Sequence, residues 1–240
     1  MKFLVNLLFF IIDFNHKKKI FKFLKNLLPN DNLNIIDVGA HHGETWNYII
    51  KNFKVQKLLC YEASKKNFEK LNKFKKKIQN NNIDIKIYNK AIGDTKRKVI
   101  FNQTSESSSS TFSKINFESE YFKKKNNILK FFFGKNYIVE SYDLELNTLF
   151  DEINIHELKN VDLIKIDTEG FELETIKGLK ENINLVKFIY FEHHFDQMVV
   201  KNYTLRDIKE TLQKAGFKKV FKIKMPFRKT FEYIYANKRN

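Results

Sequence analysis

The 240-residue sequence contains one cysteine, Cys60, which excludes an internal disulfide framework and any zinc site built on several thiolates. A reducing compartment fits, and a cytoplasmic protein is expected. Long apolar runs are also missing. The uninterrupted stretch Leu7–Ile12 is far shorter than the about 18 residues that a bilayer span requires, so a polytopic membrane protein is excluded. No small-residue cleavage site follows it, and Asp13 and the run His16–Lys19 come directly after, so a cleaved signal peptide is not expected. Acidic residues are in deficit, 28 against 44 basic ones, for a net charge of +16. What remains suffices for a core: 42% hydrophobic residues, 15% aromatics and a mean hydropathy of −0.46 describe a folded chain of about one domain.

The positive charge is clustered. Residues 15–30 carry five lysines and no acid, residues 65–77 seven lysines and Glu69, and residues 214–229 seven basic residues. Such patches attract polyanions, whether nucleic acid, anionic lipid or acidic glycan. Lysine runs on helices are also ordinarily solvent-facing, and 40 of the 44 basic residues are lysine. Within Lys17–Leu28, Ile20, Phe21, Leu24, Leu27 and Leu28 recur at helical spacing opposite Lys18, Lys22 and Lys25, which predicts a basic amphipathic helix stopping before Pro29. Its apolar face can pack on the domain or lie on an anionic membrane surface, and packing is the expectation. Residues 1–30 are therefore read as a helical segment preceding a domain at 31–240.

From Leu33 onward short apolar runs alternate with amphipathic stretches, the pattern of a parallel sheet with crossover helices. Strands are expected near 33–38, 57–62, 84–89, 161–167 and 186–192, and helices over 65–78 and 204–215. Phe217–Lys224 and Thr230–Asn237, joined through Met225-Pro226, read as a terminal antiparallel hairpin. The fold class expected is α/β: a mostly parallel, seven-stranded, doubly wound sheet ending in that hairpin. Residues 93–160 form an insert too long for a plain loop, with the serine-rich segment Thr104–Thr111 and further strands expected at Lys98–Asn102 and Tyr137–Tyr142.

The first strand runs into Asp37-Val38-Gly39-Ala40-His41-His42-Gly43-Glu44-Thr45, a glycine turn leading to a helix start. Two glycines let the backbone approach a ligand, and the helix start offers free N–H groups. The spacing Gly-x-x-x-Gly departs from the Gly-x-Gly-x-x-Gly of nicotinamide dinucleotide sites. Asp37 would repel a pyrophosphate but suits an ammonium, such as that of S-adenosylmethionine. The second strand ends at Tyr61-Glu62-Ala63, where an acid can accept from both ribose hydroxyls. The third ends at Asn89-Lys90-Ala91-Ile92-Gly93-Asp94, whose apolar residues can flank an adenine.

The fourth strand ends in Lys165-Ile166-Asp167-Thr168-Glu169-Gly170, placing Asp167 and Glu169 over the reactive end of such a ligand. A carboxylate there can take an acceptor's proton, or Asp167 can cap the helix or hold the cofactor. The turn lacks the paired prolines and aromatic used to grip a flat base amine, which disfavours base methylation but leaves ribose methylation open. The fifth strand ends Phe191-Glu192-His193-His194, and His193 joins Asp167 and Glu169 as the expected acceptor-facing set. A metal held by Asp167, Glu169, Glu192 and His193 is disfavoured, since adjacent strand residues face opposite ways.

Together, Asp37-Val38-Gly39-Ala40 with Gly43, Tyr61-Glu62-Ala63, Ala91-Ile92-Gly93-Asp94, Lys165-Ile166-Asp167-Thr168-Glu169-Gly170 with Glu172, and Phe191-Glu192-His193 resemble the FkbM-type S-adenosylmethionine-dependent methyltransferases, over about residues 33–237. The resemblance implies a Rossmann-like class I methyltransferase fold and O-methylation of a hydroxyl, often on a sugar or polyketide. Two positions depart from the family pattern: His41 stands where Asn is common, and Ala63 where a proline often follows the ribose acid. The expected cofactor contacts are Asp37, Gly39, Ala40, His41, Gly43, Glu44, Glu62, Ala63, Ala91 and Ile92. The acceptor expected is a sugar of a glycan or glycolipid, with the enzyme near the inner face of an anionic membrane. An RNA ribose methyltransferase and a non-catalytic cofactor-binding module are the alternatives.

Overall fold

The computed structural model describes residues 2–28, 32–78, 83–105, 109–133, 137 and 139–239, with the backbone alone over 2–13 and at 47, 129, 132 and 133. In chain order the elements are α1 (Lys2–Leu27), β1 (Leu33–Val38), α2 (Glu44–Asn52), β2 (Val55–Tyr61), α3 (Lys65–Lys77), β3 (Asp84–Tyr88), β4 (Ala91–Gly93), β5 (Lys98–Thr104), β6 (Lys114–Ile115), α4 (Glu120–Phe133), β7 (Val139–Thr148), α5 (Leu149–Ile155), β8 (Val161–Ile166), α6 (Glu172–Lys177), a 3₁₀ turn (Lys180–Leu185), β9 (Val186–His194), β10 (Val199–Val200), α7 (Leu205–Lys214), β11 (Phe217–Lys224) and β12 (Thr230–Asn237). The helix stop expected at Pro29 and the centre of the serine-rich segment lie outside the described residues.

The main sheet has the order β11-β12-β9-β8-β1-β2-β3. Strands β3, β2, β1, β8 and β9 pair in parallel, while β12 pairs antiparallel with both β9 and β11. The chain winds outward from β1 to β3, returns to the other side of β1 at β8, and winds outward again. The crevice between β1 and β8 is where the winding reverses, the position at which open α/β sheets bind their ligands.

Side-chain alternation explains the layers. Ile35, Leu58, Cys60, Leu163, Tyr190 and Ile234 point to one face, where Ile20, Phe21, Leu24 and Leu28 of α1 meet Trp46 and Ile49 of α2 and Leu71 of α3. Their neighbours Ile36, Leu59, Ile164, Ile189 and Tyr235 point to the other face, under α5, α6 and α7. All six residues of β8 are buried, as a central strand covered on both faces requires. Helix starts follow local chemistry: Ser64 accepts from the N–H of Asn67, and Thr204 and Asp207 form a reciprocal capping box on α7.

The sequence expectations differ from the structure in two places. The helix expected over 17–28 is the C-terminal part of the longer α1, its apolar face packed into the core as expected. The strand expected at 137–142 runs on to Thr148, because it pairs with β5 over Val139–Glu145 and with β4 over Leu146–Thr148. Among the described residues no helix is long and apolar enough to cross a membrane.

Leu24 is fully buried between α1 and the sheet, so Leu24→Ala should cost about 2–4 kcal/mol by the usual cavity scale. Urea denaturation reads this directly. An unchanged midpoint would mean that α1 does not belong to the cooperative unit.

Candidate active site

Beyond Val38 the backbone turns through Gly39 at φ +77°, His41 at φ +48° and Gly43 at φ +85°. The left-handed turns have identifiable causes. A Cβ on Gly39 would lie 1.9 Å from the carbonyl oxygen of Asp167, and one on Gly43 would lie 2.7 Å from the Phe74 ring. The turn is laced to its neighbours: the N–H groups of Gly39 and Ala40 donate to the Tyr61 carbonyl at 2.9 and 3.2 Å, and that of Asp167 donates to Val38 at 3.0 Å.

Glu62 is buried at the end of β2, where Oε2 accepts from the His41 N–H at 2.7 Å and Oε1 from the Ser64 N–H at 2.9 Å. Burial pushes its carboxyl pKa up, against the pull of those N–H groups. Each oxygen keeps lone-pair capacity beyond its single backbone bond. The Asn89 side chain fixes this strand end by donating to the carbonyls of Glu62 and Ala63 at 2.8 and 3.0 Å.

One cavity of about 1470 Å³ runs over the strand ends, and Gly39, Ala40, His41, Glu44, Glu62, Ala63, Ala91, Ile92, Asp167 and Glu169 all line it. That exceeds the ~300–1000 Å³ of an ordinary ligand pocket and leaves room for two molecules side by side.

Three expected residues do not line it. Gly43 supports the turn from behind, as the N-cap of α2. Asp37 is fully buried on the α1–α3 face, because it shares the pleat orientation of Ile35; its sheet neighbour is Lys165, whose Nζ lies 3.4 Å from Oδ1. Asp37 thus lies behind the turn and outside the cavity lining. His193 faces α7, packing against Phe195 and Tyr203. Burial, with Lys201 and His194 nearby, pushes its pKa to about 3, so it stays neutral.

The histidine in the cavity is His194, which alternation puts on the same face as Glu192. Its Nε2 lies 3.1 Å from Glu192 and 3.3 Å from Glu169, while Nδ1 lies 3.4 Å from Asp196 and 3.1 Å from the Thr230 hydroxyl. Burial would lower its pKa, but the surrounding carboxylates, Glu169 foremost, raise it well above the ordinary value. Burial pushes Glu169 up to about 8, with Asp167 and Glu192 adding to the rise and His194 opposing it. Asp167 goes the other way: burial is outweighed by Lys165, Lys17 and His194, and its pKa falls. Two carboxylates on one turn are thus pushed in opposite directions, Asp167 down and Glu169 up.

The turn is held by Glu172 of the same motif and by hydroxyls that sequence reading missed. Glu169 sits at φ +50° and Gly170 at φ +97°. The Thr111 hydroxyl donates to the Glu169 carbonyl at 2.6 Å, and that of Ser113 to the Gly170 carbonyl at 3.0 Å. Buried Glu172 accepts from the Gly170 N–H at 2.8 Å, from the Thr168 hydroxyl at 3.2 Å and from the Tyr203 hydroxyl. Only the abundance of hydroxyls between 104 and 113 hinted at this clamp. Among the described residues, one trio of potential metal ligands converges, His41, His42 and Glu44 on the rim. Nδ1 of His41 is already bonded to Glu44 at 2.9 Å and Nε2 of His42 to Asn67 at 3.2 Å, and we draw no metal site from it.

A doubly wound sheet of this order, with a glycine turn after β1, an acid ending β2 and acids at the end of β8, defines a Rossmann-like methyltransferase domain. The chain belongs to the family of the methyltransferase FkbM domain, whose model matches residues 37–219. The FkbM methyltransferase of Methylobacillus flagellatus KT superposes with a TM-score of 0.57 at 14% identity over 85% of this chain, which spans 43% of that protein's length. The magnesium protoporphyrin IX methyltransferase ChlM of Synechocystis PCC 6803, bound to SAH, follows at 0.54 and 8% identity, with 94% of this chain and 84% of that one covered. TrmK of M. capricolum, in complex with S-adenosyl-homocysteine, gives 0.51 at 12% identity over 92% of this chain and 68% of its own. At these identities the likeness is one of fold. Among curated proteins none matches the sequence.

Gly39→Ala places a methyl group against the Asp167 carbonyl at an unfavourable φ, a strain on the order of 1–3 kcal/mol or more. The expected outcome is a lower thermal midpoint together with weakened S-adenosylhomocysteine binding. A variant that melts and binds like the native protein would disprove the tight β1–β8 contact.

Proposed function

We propose that the chain is an S-adenosylmethionine-dependent O-methyltransferase whose acceptor is a hydroxyl, on a sugar of a glycan or glycolipid. The observation that carries this reading is the pairing, in one cavity, of the buried Glu62 carboxylate at one end with the Asp167–Glu169–His194 group at the other.

The residues fit the cofactor. Glu62 has acceptor capacity left for ribose hydroxyls, Ala63, Ala91 and Ile92 offer an apolar seat for adenine, and the turn at Gly39–His41 admits a close approach. Bound there, S-adenosylmethionine supplies an electrophilic methyl group on a sulfonium, whose C–S bonding pair departs with sulfur as a neutral thioether. What the protein must add is alignment, exclusion of water and a destination for the hydroxyl proton. Glu169 provides that destination, with a pKa raised to about 8 and hence real proton affinity near neutrality. His194, cationic among its carboxylates, holds Glu169 and Glu192 in place, and Asp167 stays ionised beside Lys165. His194 takes the place in this scheme that the sequence reading assigned to His193. The acidic turn, with no proline and no aromatic between Asp167 and Gly170, favours a hydroxyl over a base amine.

Calorimetric titration tests the cofactor site. S-adenosylmethionine and S-adenosylhomocysteine should both bind, with affinity reduced at least about tenfold in Glu62→Gln, the loss of roughly one charge-assisted hydrogen bond. Absence of binding to folded native protein overturns the reading. Once an acceptor is in hand, the rate should rise with pH through about 8, as Glu169 loses its proton. Glu169→Gln should remove that limb and lower kcat by about 10²–10⁴, whereas a pH profile unchanged in the variant assigns the base elsewhere.

A further inference from the structure

The exposed charged residues that line the cavity are basic, Glu44 excepted. Its other acids, Asp167, Glu169, Glu192, Asp196 and Glu62, are buried or half-buried, with buried Lys165 among them. Three elements far apart in sequence give the outer wall exposed basic residues and no acid. Helix α1 contributes Lys18, Lys22 and Lys25, α4 contributes Lys124, and the β11–β12 turn contributes Arg228 and Lys229. All six are exposed. Lys18, Lys22 and Lys25 are spaced four and three apart, so they share one helical face. No ion pair ties Lys18, Lys22, Lys25, Lys124 or Lys229 to a carboxylate among the described residues, whereas Lys17, deeper on the same helix, is paired with Glu232 at 3.1 Å.

This is not merely a lysine-rich surface. None of the lysines in the densest run of the chain, on α3 from Lys65 to Lys77, lines the cavity, to which that helix gives only Asn67. The wall also carries exposed Phe14, Ile128 and Phe227, the last 83% exposed, which give a ring or an alkyl chain something to lie on. Like charges gathered around one opening repel each other, and an anion held among them relieves that repulsion. Because they close on a single cavity from three sides, a compact anion fits better than a strand running across the surface.

We propose that the methyl acceptor is itself an anion, a hydroxyl compound bearing a phosphate or diphosphate that is held by Lys18, Lys22 and Lys25 of α1 and by Lys124 and Lys229 opposite, while its hydroxyl reaches Glu169. The proposal rests on the methyltransferase reading and narrows its substrate class. A phosphate of this kind occurs on soluble nucleotide-linked sugars and on lipid-linked ones, and the wall serves both.

The test uses the full chain saturated with S-adenosylhomocysteine and inorganic pyrophosphate as the probe. Pyrophosphate should bind, more weakly at high salt, and its affinity should fall at least tenfold in Lys22→Gln/Lys25→Gln/Lys124→Gln, with S-adenosylhomocysteine affinity unchanged. The control Lys73→Gln/Lys76→Gln, on α3, should bind pyrophosphate like the native protein. Binding to phosphatidylglycerol–phosphatidylcholine vesicles that pyrophosphate displaces points to a lipid-linked acceptor, and pyrophosphate binding without vesicle binding to a soluble one; either upholds the proposal. No pyrophosphate binding, an equal loss in the α3 control, or an RNA oligonucleotide that binds and is not displaced by pyrophosphate overturns it. Pyrophosphate binding in a protein that never binds S-adenosylhomocysteine leaves the anion site standing and removes the methyltransferase reading instead.

Discussion

The ammonium group of Lys165 joins the two halves of the site. It is almost fully buried, with Asp37 at 3.4 Å on the neighbouring strand, Asp167 at 3.3 Å on its own, and the Gly39 carbonyl at 3.4 Å. Burial alone would drive the proton off; the two carboxylates hold it on. Removing any one of these charges would strand the others in a low dielectric, a heavier penalty than the loss of one contact. The turn after β1 and the turn after β8, both of which line the cavity, are therefore set against one another by a single charge. The interlock of Gly39 with the Asp167 carbonyl is the steric side of the same constraint.

Much of this was readable because parallel strands covered on both faces leave continuous apolar runs. Val161–Ile166 and Val186–His194 announce themselves that way, and the hairpin Phe217–Lys224 and Thr230–Asn237 appears with the bounds expected of it. Position along the chain was legible, but the direction of a side chain was harder to read. His193 and His194 differ by one pleat, and one pleat separates a neutral ring against Tyr203 from a cation facing the cavity. Asp37 fell to the same alternation. The sequence shows an acid in a glycine turn, while the sheet register pairs it with Lys165 behind the turn. The partners of Thr111 and Ser113 were not readable, because their bonds to Glu169 and Gly170 span nearly 60 residues and depend on the path of the insert.

The insert therefore has two tasks. It supplies α4, which forms part of the outer wall, and it supplies the hydroxyls that brace the Glu169 turn. A change in the path of the insert has to keep those braces or rebuild them. The shape of the wall and the geometry of the acidic turn are thus joined through the same stretch of chain.

Helix α1 brings one more consequence. His16 and Lys17 both bind Glu232 on β12, a residue more than two hundred positions further along, and Tyr190 on β9 joins them. On the ribosome, α1 emerges long before Glu232 has been synthesised. Its apolar face meets Trp46 and Ile49 of α2 early, but its charged partners on β9 and β12 must wait for nearly the whole chain, so this ion-pair cluster is among the last contacts a nascent molecule can close.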